Sequence, residues 1–435
     1  MSDWLYQTAL VLARPLVHVR LWWRARREPE YGKRQAERFG HTPSAIRKYP
    51  IWFHTVSAGE TIAAAPLIRD LAARYSDLPF LVTTMTPTGS AQVQERLAEY
   101  VDHCYAPYDF KACVRRFFDT VQPRVLILME TELWPNIIAE AKRRGVPIML
   151  INARLSQRSA QGYARLAKLT RSMLSNIDHI ACQTPEHRDR FIGLGAAAEK
   201  VSVTGSVKYD ISLPADFAAL QDALRGQFGL NAQTPVWIAA STHPGEDEIV
   251  LQAHRILTQR IPGLRLLLVP RHPVRCDEVG ALIDAQDFTY VLQSESELNP
   301  PGQLNADVIL GDTMGTLLTL YGLAQVAYVG GSLVDNGGHN PIEPALVGMP
   351  VVCGPFQYNF ADVMDSMARV GGLQTVTSAE DLARAVGDWL ENDEARQQAA
   401  AAALSVVDRN RGAEERIQAL ICDLIDDSVI NSPAT

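Results

Sequence analysis

The fold is decided by residues 330–355, whose sequence is GGSLVDNGGHNPIEPALVGMPVVCGP. The apolar run 326–329 just before it predicts a buried strand, and residues 351–353 predict another. Four glycines in the connecting loop leave room for tight turns and for a ligand close to the backbone. Asn340 and Pro341 predict the start of a helix, because Asn is a good N-cap and Pro suits the first helical position. The pattern is that of a strand, a glycine-rich loop and a helix whose N-terminus could hold an anion.

A tight turn followed by a well-capped helix would explain the same pattern without any ligand. However, the loop and the first helical turn also carry His339, Asn340 and Glu343 within a dozen residues. Polar side chains gathered around several glycines favour a binding loop, and Glu343 is predicted to face whatever that loop holds.

Short apolar runs alternate with helical patterns along the rest of the chain, which is typical of parallel, doubly wound sheets. In the first half, strands are predicted near residues 51–54, 80–84, 101–105, 124–128, 147–151, 179–182 and 201–203. In the second half, they are predicted near residues 236–240, 265–269, 307–310, 326–329 and 351–353. The sequence therefore predicts an α/β protein with two Rossmann-like domains and a ligand cleft between them, at the carboxyl ends of the strands.

The length of 435 residues allows two or three domains, and the 47% of hydrophobic residues suffice for substantial cores. The predicted parts are an N-terminal segment (1–27), a first domain (28–210), a linker (210–216), a second domain (217–412) and a C-terminal helix and tail (413–435). The net charge of −8 gives no sign of a nucleic-acid partner. The six cysteines form no Cys-x-x-Cys pair and are interpreted as buried thiols of a reducing compartment.

The N-terminal segment 1–27 is apolar and aromatic, but basic residues and a proline interrupt it, so it lacks the ~20 apolar residues of a membrane span. Trp22, Trp23 and their neighbouring arginines suit the lipid headgroup layer. Between Arg14 and Lys48 there are ten Lys or Arg against three Glu. These features predict a helix on an anionic membrane surface, although a soluble helix packed on the first domain is the alternative.

Several catalytic signatures are absent from the sequence. It contains no P-loop, no His-Glu-x-x-His, no Asp-x-Asp and no dinucleotide-binding glycine fingerprint after a strand. Glu130 and Glu132 could bind a metal ion, but no His or Asp cluster adjoins them. The sequence therefore does not support a metal-assisted site for a nucleoside diphosphate.

Cationic residues collect where predicted strands end. Arg271 and His272 follow the strand 265–269 and would suit a phosphate or a carboxylate. An ordinary surface lysine would explain Lys208, but its position next to the predicted domain junction favours a functional role. Residues 142–171 contain eight Lys or Arg and no acidic residue, and this one-sided charge predicts a polyanionic partner.

At these positions the chain resembles a known family, the 3-deoxy-D-manno-octulosonate (Kdo) transferases of lipopolysaccharide synthesis. The resemblance covers nearly the whole chain and is carried, in order, by HTVSAGE (54–60), METELWPN (129–136), INARLS (151–156), GSVKYD (205–210), PRHP (270–273), GDTMG (311–315) and GGSLVDNGGHNPIEP (330–344). These enzymes are inverting, metal-independent glycosyltransferases of the GT-B fold. The resemblance implies CMP-Kdo as donor, the lipid A precursor lipid IVA as acceptor, and no cofactor.

The resemblance also implies roles for residues. Glu60 is the expected general base, and Glu130 and Lys208 are expected to flank the reacting centre. The residues expected to bind the donor are Arg271, His272, Met314, Gly315, Thr316, Gly331, Ser332, Asn340, Pro341, Ile342 and Glu343. Ser57 and Gly59 are expected to bind the acceptor beside Glu60, and the one-sided charge of residues 142–171 adds Arg154 and Arg158 as acceptor-binding residues. Thr316 departs from the family, which has a glutamate there. The expected location is the cytoplasmic face of the inner membrane, with residues 1–27 as the anchor.

Other functions stay open on the sequence alone. A GT-B enzyme that uses a UDP-sugar, such as another transferase or a 2-epimerase, would share the fold. A lipid-binding module without enzymatic activity would need neither Glu60 nor a nucleotide. Ser57 and Glu60 also match a capping box, in which Glu60 would only accept a hydrogen bond from the Ser57 N–H.

Overall fold

Seven parallel strands form a sheet in each half of the computed structural model, which describes residues 3–297 and 306–430. The chain divides into two units: the first takes in the chain up to Asp210 and from Arg411 onward, and the second runs from Ile211 to Asn410. Residues 1–2 of the predicted N-terminal segment and 431–435 of the predicted tail lie outside the described residues.

The first sheet has the order β3-β2-β1-β4-β5-β6-β7. Its strands are β1 (Ile51–His54), β2 (Phe80–Thr84), β3 (Asp102–Tyr105), β4 (Val125–Met129), β5 (Ile148–Ala153), β6 (His179–Cys182) and β7 (Val201–Val203). The helices are α1 (Asp3–Arg27), α2 (Gln35–Arg38), α3 (Ala58–Arg74), α4 (Pro87–Leu97), α5 (Lys111–Val121), α6 (Pro135–Arg143), α7 (Gln157–Arg165), α8 (Ala167–Asn176) and α9 (Pro185–Gly193).

The second sheet has the order β10-β11-β9-β8-β12-β13-β14. Its strands are β8 (Val236–Thr242), β9 (Arg265–Pro270), β10 (Tyr290–Leu292), β11 (Val308–Leu310), β12 (Val326–Val329), β13 (Val351–Cys353) and β14 (Leu373–Thr375). The helices are α10 (Phe217–Gln227), α11 (Asp247–Arg260), α12 (Cys276–Ala285), α13 (Leu317–Tyr321), α14 (Ile342–Leu346), α15 (Ala361–Arg369), α16 (Ala379–Glu391) and α17 (Asp393–Asn410). All twelve predicted strands are present to within two residues at either end, whereas the edge strands β10 and β14 were not predicted.

Both faces of each sheet are covered, as parallel sheets require. In the first unit Trp52 packs into one apolar core while its neighbours Ile51 and Phe53 pack into another on the opposite face. Because successive side chains of a strand point to opposite faces, such strands must be apolar throughout, and this explains why they were recognisable as short apolar runs.

The last helix, α18 (Ala413–Ile430), belongs to the first unit, where Ile417 and Ile421 pack into the same core as α3. The Asp210 carboxylate accepts hydrogen bonds from the backbone N–H groups of Gly412 and Glu414, at 2.6 Å each. Asp210 therefore caps this helix from a position two hundred residues earlier in the chain, a contact that no local pattern in the sequence could indicate.

Helix α1 continues through Pro15 and uses one side to pack on the first unit. The Tyr6 hydroxyl donates to Asp109, the Gln7 amide donates to Asn136, and Leu21 is buried. The other side exposes a large apolar stripe: Val11, Leu12, Leu16, Val19, Trp22 and Trp23. No helix within the described part of the chain combines the length and the apolar character that crossing a membrane requires.

In each sheet the strand order reverses direction next to the first strand, between β1 and β4 and between β8 and β12. Ligands of doubly wound folds bind at this switch point, outside the carboxyl ends of the strands. Gly59-Glu60 lies in the first turn of α3, shortly after β1, and Gly245-Glu246 lies in the loop between β8 and α11. The chain thus places the same dipeptide at the switch point of both sheets.

In the second unit Glu246 is completely buried and holds the glycine-rich loop in place. Its carboxylate accepts five hydrogen bonds of 2.6 to 3.0 Å, from the N–H groups of His243, Gly331, Ser332 and Leu333 and from the Tyr328 hydroxyl. This single side chain therefore fixes the loop after β12 to the loop after β8.

We predict that Glu246→Gln loosens this loop. The amide replaces one acceptor oxygen with an NH₂ group that faces backbone donors, and losing a hydrogen bond to a charged group costs roughly 1.5–3 kcal/mol. Amide hydrogen exchange at residues 331–333 should therefore accelerate at least tenfold.

Glu248→Gln is the matched control, because Glu248 lies two residues later but is exposed. Unchanged exchange at residues 331–333 in Glu246→Gln would show that the loop is held by other contacts.

Candidate active site

Glu60 is the central residue at the switch point of the first sheet. It lies in the first turn of α3, which Ser57 caps by accepting a hydrogen bond from the Glu60 N–H at 3.3 Å. One carboxylate oxygen accepts from the Ser57 hydroxyl at 2.7 Å, and the other from the Val56 N–H at 3.0 Å. The capping-box interpretation expected Glu60 to bond back to the Ser57 N–H; the carboxylate reaches one residue further back, to Val56.

The electrostatic environment of Glu60 disfavours its ionised form. Its side chain is nearly buried, and this burial together with the nearby carboxylates of Glu132 and Glu130 raises its pKa to about 8, although the bonds from Ser57 and Val56 act in the opposite direction. Gly59, directly before it, is exposed. Glu60 is thus a buried carboxyl group with a pKa raised to about 8, next to an exposed glycine.

Glu130 and Lys208, the two residues expected to flank the reacting centre, lie close together. The Lys208 Nζ lies 3.8 Å from a carboxylate oxygen of Glu130. Glu130 follows β4 with a left-handed backbone (φ 53°), and its N–H donates to the Ile151 carbonyl of the neighbouring strand. A strained conformation fixed by a hydrogen bond is common at functional sites, because it aims a side chain that a relaxed turn would not.

Glu132 is a member of this site that the sequence analysis considered only as a metal ligand. One of its carboxylate oxygens accepts from the Trp134 indole N–H at 2.7 Å, and the Trp134 ring packs edge-on against His54. Burial and the Glu130 charge raise the pKa of Glu132. The sequence pattern that could have indicated this role is the pair Glu130 and Glu132 just after a buried strand that neighbours the one before Glu60. Within the described residues no His, Cys, Asp and Glu side chains form a metal-binding group of three or more.

Three of the residues predicted to bind the acceptor lie next to this carboxylate cluster: Ser57, Gly59 and Arg154. The Arg154 carbonyl accepts from the Thr131 hydroxyl, between Glu130 and Glu132. Arg158 lies on α7, none of whose residues is buried. Burial raises the pKa of Tyr163 on the same helix, and the negative charge of Glu132 raises it further. The structure therefore brings Tyr163 of α7 near one of the three carboxylates, Glu132.

The donor residues predicted in the second unit lie on the loops after β9, β11 and β12. Arg271 and His272 are exposed directly after β9. Met314 and Gly315 are exposed in the turn after β11, and the Thr316 hydroxyl bonds to Gln293 and to the Thr313 carbonyl. The contribution of residue 316 to a ligand would therefore come from its backbone.

Ser332 and Ile342 are fully buried. The Ser332 hydroxyl donates to the Val329 carbonyl and accepts from the Gly354 N–H, so it fixes the loop after β12 to the residue that follows β13. These two residues shape the loop and the helix, and any contact they make with a ligand would be through the backbone.

Helix α14 begins at Ile342, one residue later than predicted, so Pro341 is its N-cap residue and not its first helical residue. Asn340 nevertheless stabilises the N-terminus of the helix, because its side-chain oxygen accepts a hydrogen bond from the Ile342 N–H at 3.0 Å. It also donates to the Glu343 carboxylate at 3.1 Å, and burial raises the pKa of Glu343. The positive charge of Arg271 lowers the pKa of the same carboxyl group. The loops after β9 and β12 therefore contribute to one electrostatic site.

The chain is similar to proteins of a known transferase family. Residues 33–211 match the family model described as 3-deoxy-D-manno-octulosonic-acid transferase (kdotransferase). A 3-deoxy-D-manno-octulosonic acid transferase of Haemophilus influenzae is 40% identical over 98% of this chain and 99% of its own. The enzyme of the same name from Bordetella pertussis is 37% identical over 92% and 94%.

Among solved structures, UDP-GlcNAc 2-epimerase from Neisseria meningitidis is similar with a TM-score of 0.56, at 13% identity and covering 88% of this chain and 100% of its own. Identity this low indicates a shared fold only. The predicted fold class, two parallel Rossmann-like domains of the GT-B type, is confirmed.

We predict that Glu132→Gln lowers the pKa of Glu60, because it removes the largest charge that opposes ionisation of Glu60. In the wild type the folded state binds this proton more tightly than the unfolded state, whose carboxyl has the usual pKa near 4.5. The stability that Glu60 contributes is therefore complete below that value and is lost as pH rises through about 8. Carboxyl ¹³C NMR titration measures the Glu60 pKa in the wild type and in Glu132→Gln, and the Glu60→Gln variant assigns the signal.

Glu99→Gln removes the same charge at an exposed position of the first unit and should leave the Glu60 titration unchanged. A wild-type Glu60 that titrates near 4.5 would disprove this description of the site.

Proposed function

Because the chain belongs to the 3-deoxy-D-manno-octulosonic acid transferase family, and is therefore a Kdo transferase of lipopolysaccharide biosynthesis, we propose that it moves Kdo from CMP-Kdo to lipid IVA with Glu60 as the general base. The observation that carries this proposal is the Glu60 carboxyl group, which lies at the switch point of the first sheet with a pKa raised to about 8. A base works best when its pKa is near the working pH.

In the proposed reaction the acceptor hydroxyl gives its proton to the Glu60 carboxylate as its oxygen bonds to the anomeric carbon of Kdo. The bond from that carbon to the phosphate oxygen breaks, and CMP leaves with the electron pair. Attack from the face opposite the leaving group inverts the anomeric centre. Lys208 holds a positive charge 3.8 Å from Glu130 and offsets part of the negative charge that the cluster gains when Glu60 is ionised.

The second unit supplies the features that a CMP-sugar donor needs. The donor carries a phosphate and a carboxylate, and Arg271 and His272 are exposed cationic or hydrogen-bonding groups directly after β9. We assign the ribose hydroxyls to Glu343, whose carboxylate is held by Asn340 at the start of α14. A carboxylate accepts hydrogen bonds from sugar hydroxyls, whereas a phosphate would be repelled there.

The acceptor proposal rests on charge. Lipid IVA is a phosphorylated glycolipid, and residues 142–171 contain eight basic and no acidic residues. Arg154 and Arg158 come from the part of this run that lies beside the carboxylate cluster. Glu60 and these arginines would then act on the same molecule, the carboxylate on its hydroxyl and the arginines on its phosphates.

The membrane proposal rests on α1. Its exposed stripe includes Leu12 and Leu16, which are 72% and 69% exposed. The guanidinium groups of Arg26 and Arg27 lie 3.8 and 3.9 Å from the Trp22 and Trp23 rings, an arrangement suited to the lipid headgroup layer. We propose that this helix lies on the cytoplasmic face of the inner membrane, where the lipid acceptor is found.

The base assignment predicts that Glu60→Gln lowers turnover by ~10²–10⁴, the usual contribution of a positioned base. Gln keeps the cap, because its amide can replace a protonated carboxyl between Ser57 and Val56, so stability and CMP-Kdo binding should persist. The assay incubates CMP-Kdo with lipid IVA and detects the product by mass spectrometry.

Glu199→Gln, an exposed substitution in the same unit, is the control and should transfer Kdo at the wild-type rate. If Glu60→Gln transferred Kdo at nearly the wild-type rate, Glu60 would not be the base and would only stabilise the start of the helix. A wild-type protein that binds UDP in preference to CMP would instead point to a UDP-sugar enzyme.

The membrane proposal predicts that Leu12→Gln combined with Leu16→Gln weakens binding to anionic vesicles at least tenfold, because each buried leucine contributes ~1.5–3 kcal/mol. Vesicle co-sedimentation measures this. The matched control is Val429→Gln with Ile430→Gln, two exposed apolar residues of α18. Equal losses in both double variants would contradict a specific role for α1.

A further inference from the structure

Two histidines of the second unit, His243 after β8 and His339 in the glycine-rich loop, form a direct hydrogen bond. Their Nε2 atoms are 2.8 Å apart. The ring planes differ by only 2° and the ring centroids are 5.1 Å apart. An Nε2–Nε2 contact this short between centroids this far apart means that the rings lie edge to edge in nearly one plane, which is the geometry of a well-aligned N–H···N bond.

This bond fixes where the protons are. Only one of the two Nε2 atoms can carry a hydrogen, because two N–H donors cannot share a 2.8 Å contact. The ring whose Nε2 accepts must therefore carry its proton on Nδ1 when it is neutral. One Nδ1–H of the pair is consequently directed away from the partner ring and is available to a third group.

The surroundings keep the pair uncharged. Burial, followed by the positive Arg271, lowers the pKa of His339 to about 4, and burial also lowers the pKa of His243. The other charged or titratable groups that act on the pair are Glu246, His272 and Arg275. Of these, Glu246 is saturated by its own hydrogen bonds, and Arg275 pairs with Asp247 at 2.6 Å.

The fold makes room for the pair at the place where a ligand is expected. β8 and β12 are neighbours at the switch point of the second sheet. A Cβ atom on Gly331 would come within 2.9 Å of the His339 ring, and its φ of 66° also favours glycine. Gly331, which the sequence analysis assigned to the donor site, thus acts by admitting the histidine ring.

We propose that His243 and His339 form a neutral imidazole pair that donates one Nδ1–H to the phosphate group of the CMP-sugar donor. This deepens the proposed function and rests on its nucleotide site. A neutral donor beside the positively charged Arg271 suits an anion that must bind and later leave as CMP, since the hydrogen bond orients the phosphate without adding a second fixed charge.

The test compares CMP with cytidine, which lacks the phosphate, in His243→Gln, His339→Gln and the double variant. The Gln amide can replace the bridging Nε2 but has no group at the Nδ1 position. One single variant should therefore weaken CMP at least tenfold, and the double variant should weaken it by the same factor, while cytidine affinity stays at the wild-type value. His179→Gln in the first unit is the control, because His179 makes one side-chain hydrogen bond, to Ser202.

A measurement on the wild type avoids any folding defect of the variants. Imidazole ¹⁵N NMR at neutral pH should show one of these rings as the Nδ1–H tautomer and the other as the Nε2–H tautomer, and CMP but not cytidine should shift the Nδ1–H signal. Equal loss of CMP and cytidine affinity, or the same tautomer in both rings, would overturn the inference. If the wild type binds no CMP at all, the proposed function itself fails; unaltered CMP binding in all three variants would overturn the histidine inference alone.

Discussion

A buried carboxylate at the switch point of each parallel sheet is the feature on which the rest of the structure depends. Glu60 and Glu246 follow glycine at the start of the first long helix after the first strand of their sheets. The carboxyl ends of parallel strands leave backbone N–H groups of the following loops without partners in the sheet, and a carboxylate can accept several of them. The two units differ in how many hydrogen bonds the carboxylate of this glutamate accepts.

In the second unit five hydrogen bonds surround the carboxylate. Glu246 accepts four backbone N–H groups and a phenol, and the loop that it fixes carries His339 and leads to Asn340 and Glu343. In the first unit Glu60 receives one N–H and one hydroxyl, and its other close neighbours are two more carboxylates. The same dipeptide therefore fixes a loop in one unit and contains a carboxyl group with a raised pKa in the other, because the partners supplied by distant residues differ.

Much of this arrangement could be predicted from the sequence. Buried parallel strands are apolar throughout, so twelve of them were visible as short runs. The two edge strands were not, because β10 is only half-buried and two of the three residues of β14 are exposed. Glu60, Glu130 and Lys208 were found through resemblance to a family. Glu132 was considered only as a metal ligand and His243 was not singled out, since the charge effect of Glu132 on Glu60 and the contact of His243 with His339 join residues far apart in the sequence. The cap that Asp210 provides for α18 depends on the same kind of distant contact.

The pH dependence of Kdo transfer tests the central claim, that Glu60 is the base, most directly. If it is, kcat/KM for the lipid acceptor should rise with pH and level off above an apparent pKa near 8, since this quantity reports the ionisation of the free enzyme. A rate that is constant across the neutral range, or that falls only as pH approaches the usual carboxyl value near 4.5, would contradict the account.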